Sequence, residues 1–380
     1  MKRWFVIVCM LAAFAVLRAE EAETLPATTE SEVSVDESTT ESAESSGLRV
    51  STWRVDGRLD YQVMRMEETM PGMPDMTDTR GELMAAELET TATIANSERD
   101  IVDLAVQWPY LTDMKGVDDR GKEMHFGNAY GVYKFGLGKP NLRMGQFVAP
   151  FGNLPYYETH TRPLQSLYPN SLGVRIDRGV SLEGFAGDYD YWVAAVGGNG
   201  ARSDNNDSPT VLGRVARRYD LLNGTLTAGV SALYGTDMPR FSTLVDPVMG
   251  TALPGMPLSA SLDFTDKTRV ALDAEYSAGQ DIWRAELVAG RDSDGGVNGQ
   301  FLQWNRALTE KNEVTAQVAR WEQPGGNRLR VGASFGHRLD DYTLVRLTAE
   351  RSQGHVPGTD HNETMVAVQL TRDFPGLAGR

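Results

Sequence analysis

The sequence predicts an all-β fold, a transmembrane antiparallel β-barrel of sixteen strands over residues 48–380. Three observations lead there. Apolar and polar residues alternate at period two in segments of eight to fifteen residues that end in Gly, Asn, Asp or Pro, the spacing that puts every second side chain on one face of a strand. The segments number sixteen, an even count, and the last runs from Met365 to Phe374. The connections alternate long and short, as they do when both ends of a barrel lie on one side of a membrane.

Two segments precede the barrel. Residues 1–19 read as an export signal: Lys2 and Arg3, an apolar run from Trp4 to Leu17, then Ala19 before Glu20. Cleavage after Ala19 is expected, with Ala15 as the alternative. The chain then leaves the cytoplasm. Its one cysteine, Cys9, goes with the signal, so disulfides, a thiolate metal site and a thiol nucleophile lose their candidates. Residues 20–47 hold nine acidic residues, no Lys or Arg and no aromatic. Such a stretch buries too little apolar area to fold alone and is expected to be a disordered tail, either a spacer or a tether.

The net charge of the whole chain is −15. That argues against nucleic acid as a partner, because phosphate binding needs a clustered basic face. The +3 of the signal and the −9 of the tail leave −9 for residues 48–380.

Within the barrel region the first strand sets Trp53, Val55, Leu59, Tyr61 and Val63 against Arg54, Asp56, Arg58, Asp60 and Gln62. Later stripes repeat the arrangement, among them Leu226 to Tyr234, Val270 to Tyr276, Trp283 to Ala289 and Leu329 to Phe335. A soluble double-sheet protein shows the same local alternation. Against it stand the strand count and the segment length, which suits the ~9–11 residues that cross a bilayer at a tilt. Few large aliphatic residues occupy the polar face. That face then lines a lumen.

The long connections are predicted at residues 67–80, 112–121, 152–178, 198–210, 235–268, 292–299 and 352–363, with one short exception at 322–327. Tight turns fall around 96–100, 136–141, 187–190, 220–223, 278–281, 310–312 and 339–341.

Parity then assigns the pore-lining side chains: Arg54, Arg58, Arg143, Arg214, Arg218, Arg284, Arg328, Arg330 and Arg346, with Glu286 and Glu350. Arginine outnumbers lysine 28 to 6 in residues 48–380, and an always-charged, rigid donor suits a lumen wall. Closure brings the late-strand arginines near Arg54 and Arg58. Two readings follow, a segregated charge that sets up a transverse field or cross-strand pairing that keeps the interior wet. The third long connection is the candidate constriction, with Tyr156, Tyr157, Glu158, His160, Arg162, Arg175 and Arg178 in one segment stiffened by Pro155, Pro163 and Pro169. His160 is either a solvated loop histidine or a pH-sensitive gate.

The run Leu142-Arg143-Met144-Gly145-Gln146-Phe147-Val148-Ala149-Pro150-Phe151-Gly152, with Arg178-Gly179-Val180-Ser181-Leu182-Glu183-Gly184 beyond the long connection, resembles outer-membrane porins related to phosphate- and polyphosphate-selective channels. The resemblance covers about 45 residues. It implies a trimeric sixteen-stranded pore whose third loop folds inward. Phosphate selectivity is not implied, since those channels have lysine-rich mouths and an arginine ladder that this chain does not match. The last strand, with Val366, Val368, Leu370 and Phe374 in one parity, is similar to the aromatic-ended segment that barrel-assembly machinery reads.

No catalytic set is evident. The five histidines, His125, His160, His337, His355 and His361, have no convincing Ser and acid partners. His355, Asp360 and His361 do not close a metal ligand set, and the Gly-rich pieces at 197–200 and 295–296 read as turns rather than cofactor loops. The expected function is passive: no cofactor, no metal, no turnover. Small hydrophilic or charged solutes and ions would diffuse through the outer membrane of a Gram-negative-type cell, with lipid around the barrel and a homotrimer implied by the resemblance. The alternative is a closed barrel whose loops, chiefly 235–268, bind a surface partner.

Overall fold

A computed structural model describes residues 48–72, 74–109, 128–153, 164–173, 176–198, 210–241, 262–356 and 359–379. The signal and tail expected at 1–47 lie outside the described residues. The chain forms sixteen strands: β1 (Arg49–Thr69), β2 (Met76–Ala95), β3 (Asp100–Pro109), β4 (Ala129–Lys134), β5 (Asn141–Val148), β6 (Ile176–Ala186), β7 (Tyr189–Val196) and β8 (Thr210–Leu221) in the first half. The second half adds β9 (Gly224–Phe241), β10 (Leu262–Ala278), β11 (Asp281–Asp292), β12 (Gly295–Ala307), β13 (Asn312–Gln323), β14 (Gly326–Asp340), β15 (Thr343–Val356) and β16 (Thr359–Gly379). A five-residue helix, α1 (Tyr168–Leu172), lies between β5 and β6. No helix among the described residues is long and apolar enough to cross a membrane.

Every strand pairs antiparallel with its sequence neighbours, and β1 closes onto β16. The closing register sets Leu59 opposite Arg372, Val63 opposite Val368 and Met66 opposite Met365. With no edge left, each strand's backbone donors and acceptors find partners within the sheet, which hydrocarbon requires. The closing strand continues past Phe374, so that Ala378 and Gly379 still pair with Val55 and Arg54.

Burial along each strand inverts the pattern of a soluble protein. On β14 the inward Arg328, Arg330 and Ser334 are buried, whereas Leu329, Val331 and Phe335 are exposed. On β1 the inward Asp60, Gln62 and Met64 are buried, whereas Tyr61 and Val63 are exposed. The cross-strand pair Leu272 and Leu287 is 54% and 56% exposed at the middle of the outer face. In water such a surface would forgo about 1.5–3 kcal/mol per large aliphatic side chain left unburied. In a bilayer it meets hydrocarbon.

The tight turns gather at one end. Outward aromatic residues ring it, among them Trp53, Tyr133, Phe185, Tyr189, Tyr219 and Phe374, and Trp283 stacks on Trp304 with ring centroids 5.9 Å apart. Amphipathic rings concentrate where hydrocarbon meets headgroups. At the other end the strands run further than their hydropathy predicts: β9 extends to Phe241 and β10 begins at Leu262, with Leu262 still opposite Phe241. The connection expected at 235–268 therefore shrinks to 242–261. The one expected at 292–299 becomes the two-residue turn 293–294, because Asp292 pairs with Gly295.

Replacing Leu272 or Leu287 by arginine is expected to cost about 2–4 kcal/mol of folding free energy in phospholipid vesicles, the penalty for a charge at the bilayer midplane. Urea titration of folding into vesicles measures it. A soluble barrel would tolerate the same exposed substitution within about 0.5 kcal/mol.

Candidate functional site: the inner wall and the β5–β6 connection

The inward positions carry the charges, and nearly every assigned arginine meets a carboxylate close by. Arg54 Nε lies 2.7 Å from Asp56 and Arg58 Nε 2.7 Å from Asp60. Thr371 donates its hydroxyl to the same buried Asp60. Arg143 grips Glu183 with two bonds of 3.0 Å, its guanidinium 4.3 Å above the Tyr130 ring, while Trp192 donates to Glu183 at 3.1 Å. Arg284 pairs with Glu275 at 2.7 Å. Arg328 reaches Ser352 at 2.5 Å and Glu363 at 3.2 Å; Arg346 reaches Gln369 and Glu313, each at 3.0 Å. Arg218 stands at the turn end, 3.5 Å from Asp220 and two-thirds exposed. Glu350 is buried on β15, opposite Met365. Of the two charge readings, this arrangement is local pairing, along one strand for Arg54, Arg58 and Arg218 and between strands for Arg143, Arg284, Arg328 and Arg346, with each of these arginines beside a carboxylate instead of the signs gathering on separate sides.

On β8–β11 the pairs of Arg214 and Arg269 are buried from solvent, while Asp294 at the turn stays half exposed. Arg214 on β8 bonds Asp273 on β10 across β9, where Gly229 leaves the space: a Cβ there would meet the Arg214 guanidinium at 2.7 Å and the Asp273 carboxylate at 2.8 Å. Arg269 bonds Asp292, and Arg240 bridges Asp292 at 3.4 Å and Asp294 at 2.7 Å. The hydrogen bond from Arg240 holds the Asp294 carboxyl, in the turn between β11 and β12, below the usual carboxylate range.

The connection between β5 and β6 docks on this wall. Phe147, Ala149, Phe151, Leu167, Tyr168 and Leu172 form one buried apolar cluster with inward residues of β7–β13, including Leu212, Leu233, Val288, Phe301 and Trp321. A dry core inside the barrel departs from the expectation of a wet inner face. It forms because one segment of chain supplies the second layer that a single sheet lacks. Polar contacts surround the cluster: Gly152 N–H donates to Ser231 Oγ at 3.0 Å, Asn153 N–H to Glu286 at 3.3 Å, and Tyr168 Oη to the Ala149 carbonyl at 2.7 Å. Gln317 and Arg330 both donate at 2.8 Å to the Gln165 carbonyl. Lys267 Nζ, fully buried, donates to the carbonyls of Leu172 at 2.8 Å and Pro239 at 2.5 Å.

Two glycines fit the connection to the wall. Gly152 (φ 63°) and Gly173 (φ 77°) adopt left-handed backbone. A Cβ on Gly152 would collide with the Glu286 carboxylate, and one on Gly173 with the Pro239 carbonyl, 2.8 Å from Lys267 Nζ.

Of the residues assigned to the constriction, Tyr156, Tyr157, Glu158, His160, Arg162 and Arg175 lie outside the described residues. Arg178 is the third residue of β6. It shares the outer parity of Val180 and Leu182, and its Nε bonds Gln146 at 3.1 Å. Sequence reasoning passed over Lys267, Ser231 and Asn153. Lys267 shares the inward parity of Arg269 and Asp273, a usable signal that the expected 235–268 loop concealed. Among the described residues no group of three or more His, Cys, Asp or Glu is placed to hold a metal ion.

A closed sixteen-strand antiparallel barrel, apolar outside and charged inside, has the architecture of outer-membrane porins. Solved structures of that architecture resemble it over most of the chain. The anion-selective porin from Comamonas acidovorans matches with a TM-score of 0.58 at 13% identity, over 86% of this chain and 100% of that one. The outer membrane channel DcaP of Acinetobacter baumannii matches with a TM-score of 0.60 at 11% identity, over 87% and 99%. OmpT, an outer membrane protein of Vibrio cholerae solved in a trimer form, matches with a TM-score of 0.54 at 10% identity, over 84% and 99%. At these identities the likeness is one of fold. No protein-family model and no curated protein matches the sequence.

Alanine at Gly173 is expected to loosen the connection: left-handed backbone costs a residue with a Cβ about 1–2 kcal/mol, and the collision with Pro239 adds to it. Proteolysis of the purified barrel should then cut between β5 and β6 faster than in wild type, with heat-modifiable migration unchanged. Gly296→Ala, whose Cβ meets nothing within 4 Å, should change neither.

Proposed function

We propose that the protein is a passive porin of the outer membrane of a Gram-negative-type cell. Small hydrophilic or charged solutes diffuse through its lumen without turnover or cofactor. The observation that carries this reading is the inverted barrel, with a hydrocarbon-compatible outer face and an inner wall of charges and amides. A wall of that kind keeps water and replaces part of a solute's hydration.

The β5–β6 connection is the element that narrows the lumen. Its segments 149–153 and 164–173 bond to inward side chains of five strands, β9, β10, β11, β13 and β14, which supports an inward fold. The passage then lies along the remaining wall, where the register sets Arg330 level with Glu68 through Ser352 and Glu363, so Arg328 and Arg330 stand at the loop end and Arg54 and Arg58 at the turn end rather than close together as strand closure alone suggests. Export by the signal at residues 1–19 and assembly as a homotrimer complete the reading. The trimer form of the Vibrio cholerae protein supports the latter.

Purified protein in a planar bilayer is expected to conduct steadily, with a reversal potential across a salt gradient that shows anion preference. The double substitution Arg328→Gln/Arg330→Gln should weaken that preference. Cation preference would keep the pore and overturn the weight placed on the arginines. Absence of conductance from a folded, heat-modifiable barrel would contradict the porin reading in favour of a closed, surface-binding barrel, which the apolar cluster inside the lumen would then explain.

A further inference from the structure

Four arginines face outward near the loop end of the barrel: Arg291 on β11, Arg320 on β13, Arg351 on β15 and Arg65 on β1. All four are exposed. Each shares its strand's outer face with a large apolar side chain nearer the middle of the wall, Leu287, Val318, Leu347 and Val63 respectively. They occupy every second strand of one stretch of wall.

The register brings them close to one height. Because the strands are tilted, a row of directly paired residues climbs the barrel. The row that starts at Trp283, in the aromatic ring of the turn end, runs through Trp304, Ala316, Ala333, Ala349 and Val366 to Arg65. On β1 that ring lies at Gly57, the partner of Phe374, so the row has climbed eight residues in six strand-to-strand steps. Arg320 pairs through Leu329 with Gln353, and Arg351 through Thr364 with Glu67. Arg351 stands two residues from Gln353 and Arg65 two from Glu67, both toward the turn end, which cancels most of the climb. Arg291, paired with Gly296 four residues from Arg320's partner Gln300, continues the belt at nearly the same height. Two strand spacings and two residues separate Arg320 from Arg351 and Arg351 from Arg65, roughly 12 Å between Cα atoms.

Partners distinguish this belt from the outward arginines of the turn end. There Arg217, Arg306 and Arg372 each face an aspartate: Asp188 at 2.7 Å, Asp281 at 3.4 Å and Asp340 at 2.8 Å. In the belt, Arg65 meets Glu67 at 2.7 Å and Arg320 meets Glu322 at 3.2 Å. The guanidinium groups of Arg291 and Arg351 have no carboxylate partner among the described residues. The belt therefore keeps a positive excess at the edge of the apolar wall.

A guanidinium at that edge meets whatever the lipid carries where its hydrocarbon ends. Arginine grips phosphate through parallel N–H donors, and basic side chains beside a membrane hold anionic headgroups. The apolar columns below the belt suit acyl chains. The exposed Asn298 and Gln300 on β12 and Thr364 on β16 lie between the arginines and offer hydrogen bonds to sugar hydroxyls. We propose that this belt is a binding site for lipid A, the acylated glucosamine disaccharide bearing two phosphates in the outer leaflet of a Gram-negative outer membrane. Arg291 and Arg351 take the phosphates, and Arg320 and Arg65 extend the site along the wall. The inference rests on the outer-membrane reading above and adds to it a lipid partner on the face away from the lumen.

The test mixes the full chain, folded in detergent, with lipid A or with the same lipid stripped of both phosphates, and counts bound lipid by native mass spectrometry. Lipid A should remain on the barrel and the dephosphorylated lipid should bind weakly. Arg291→Gln/Arg351→Gln should weaken lipid A binding roughly 30-fold, the loss for two arginines beside an anionic headgroup, whereas Arg217→Gln at the turn end should leave it unchanged. Equal binding of the two lipids, or wild-type affinity in the double variant with heat-modifiable migration intact, would overturn the proposal. Displacement of lipid A by an equal concentration of phosphatidylglycerol would overturn it too, leaving only a general attraction for anionic lipid. A barrel that conducts in a planar bilayer but holds no lipid A would end this inference and leave the porin reading intact.

Discussion

Hydrocarbon offers the backbone no hydrogen-bond partners, and the rest of this structure depends on that constraint. A sheet in a bilayer must close, because each unpaired edge group costs several kcal/mol. Closure of β1 onto β16 leaves no edge. Once closed, the sheet has an outside that must be apolar and an inside that can be polar, and period-two alternation then writes both faces into every strand. Leu329 and Val331 face out while Arg328 and Arg330 face in for this single reason.

The inside poses a second problem, since a buried guanidinium is costly unless a carboxylate or carbonyl meets it. The wall meets it locally, through Arg58 with Asp60, Arg143 with Glu183, Arg214 with Asp273 and Arg346 with Glu313. These pairs stiffen the wall and hold the side chains extended over it. They also give the connection between β5 and β6 a surface to dock on. That connection satisfies its own polar backbone with Ser231, Glu286, Gln317, Arg330 and Lys267 and buries its apolar residues against β7–β13. The wall's arginines thus have two tasks, to bound the lumen and to hold what narrows it.

Much of the fold was legible in the sequence because alternation, strand number and turn chemistry all report the same barrel. The predicted turn at 187–190 is observed at 187–188, and that at 278–281 at 279–280. The loop-end boundaries were not legible. Beyond the membrane the ladder continues while lipid no longer enforces alternation, so β9 and β10 extend through Pro239 and Lys267 without a hydropathy signal. Parity placed Arg214, Arg328 and Glu286 inside, but it could not name their partners, which lie as far off in sequence as Asp273 from Arg214. Nor could it foresee that inward Phe147 and Phe301 belong to a core, because that core exists only once the connection folds against them. Arg178 stands next to a long connection, which alone suggests the constriction, but within β6 it shares the outward parity of Val180 and Leu182.

The most direct measurement of the inside-out arrangement uses the single cysteine. With Cys9 confined to the expected signal, the barrel region carries no native thiol, so cysteines introduced one at a time from 329 to 336 on β14 can each carry a fluorophore in vesicles. Quenching by nitroxide-labelled lipid should rise at 329, 331, 333 and 335 and fall at the residues between them, with a water-soluble quencher giving no access at the odd positions. Access of the water-soluble quencher to the odd positions, with lipid quenching absent, would contradict the account and make the protein a soluble barrel.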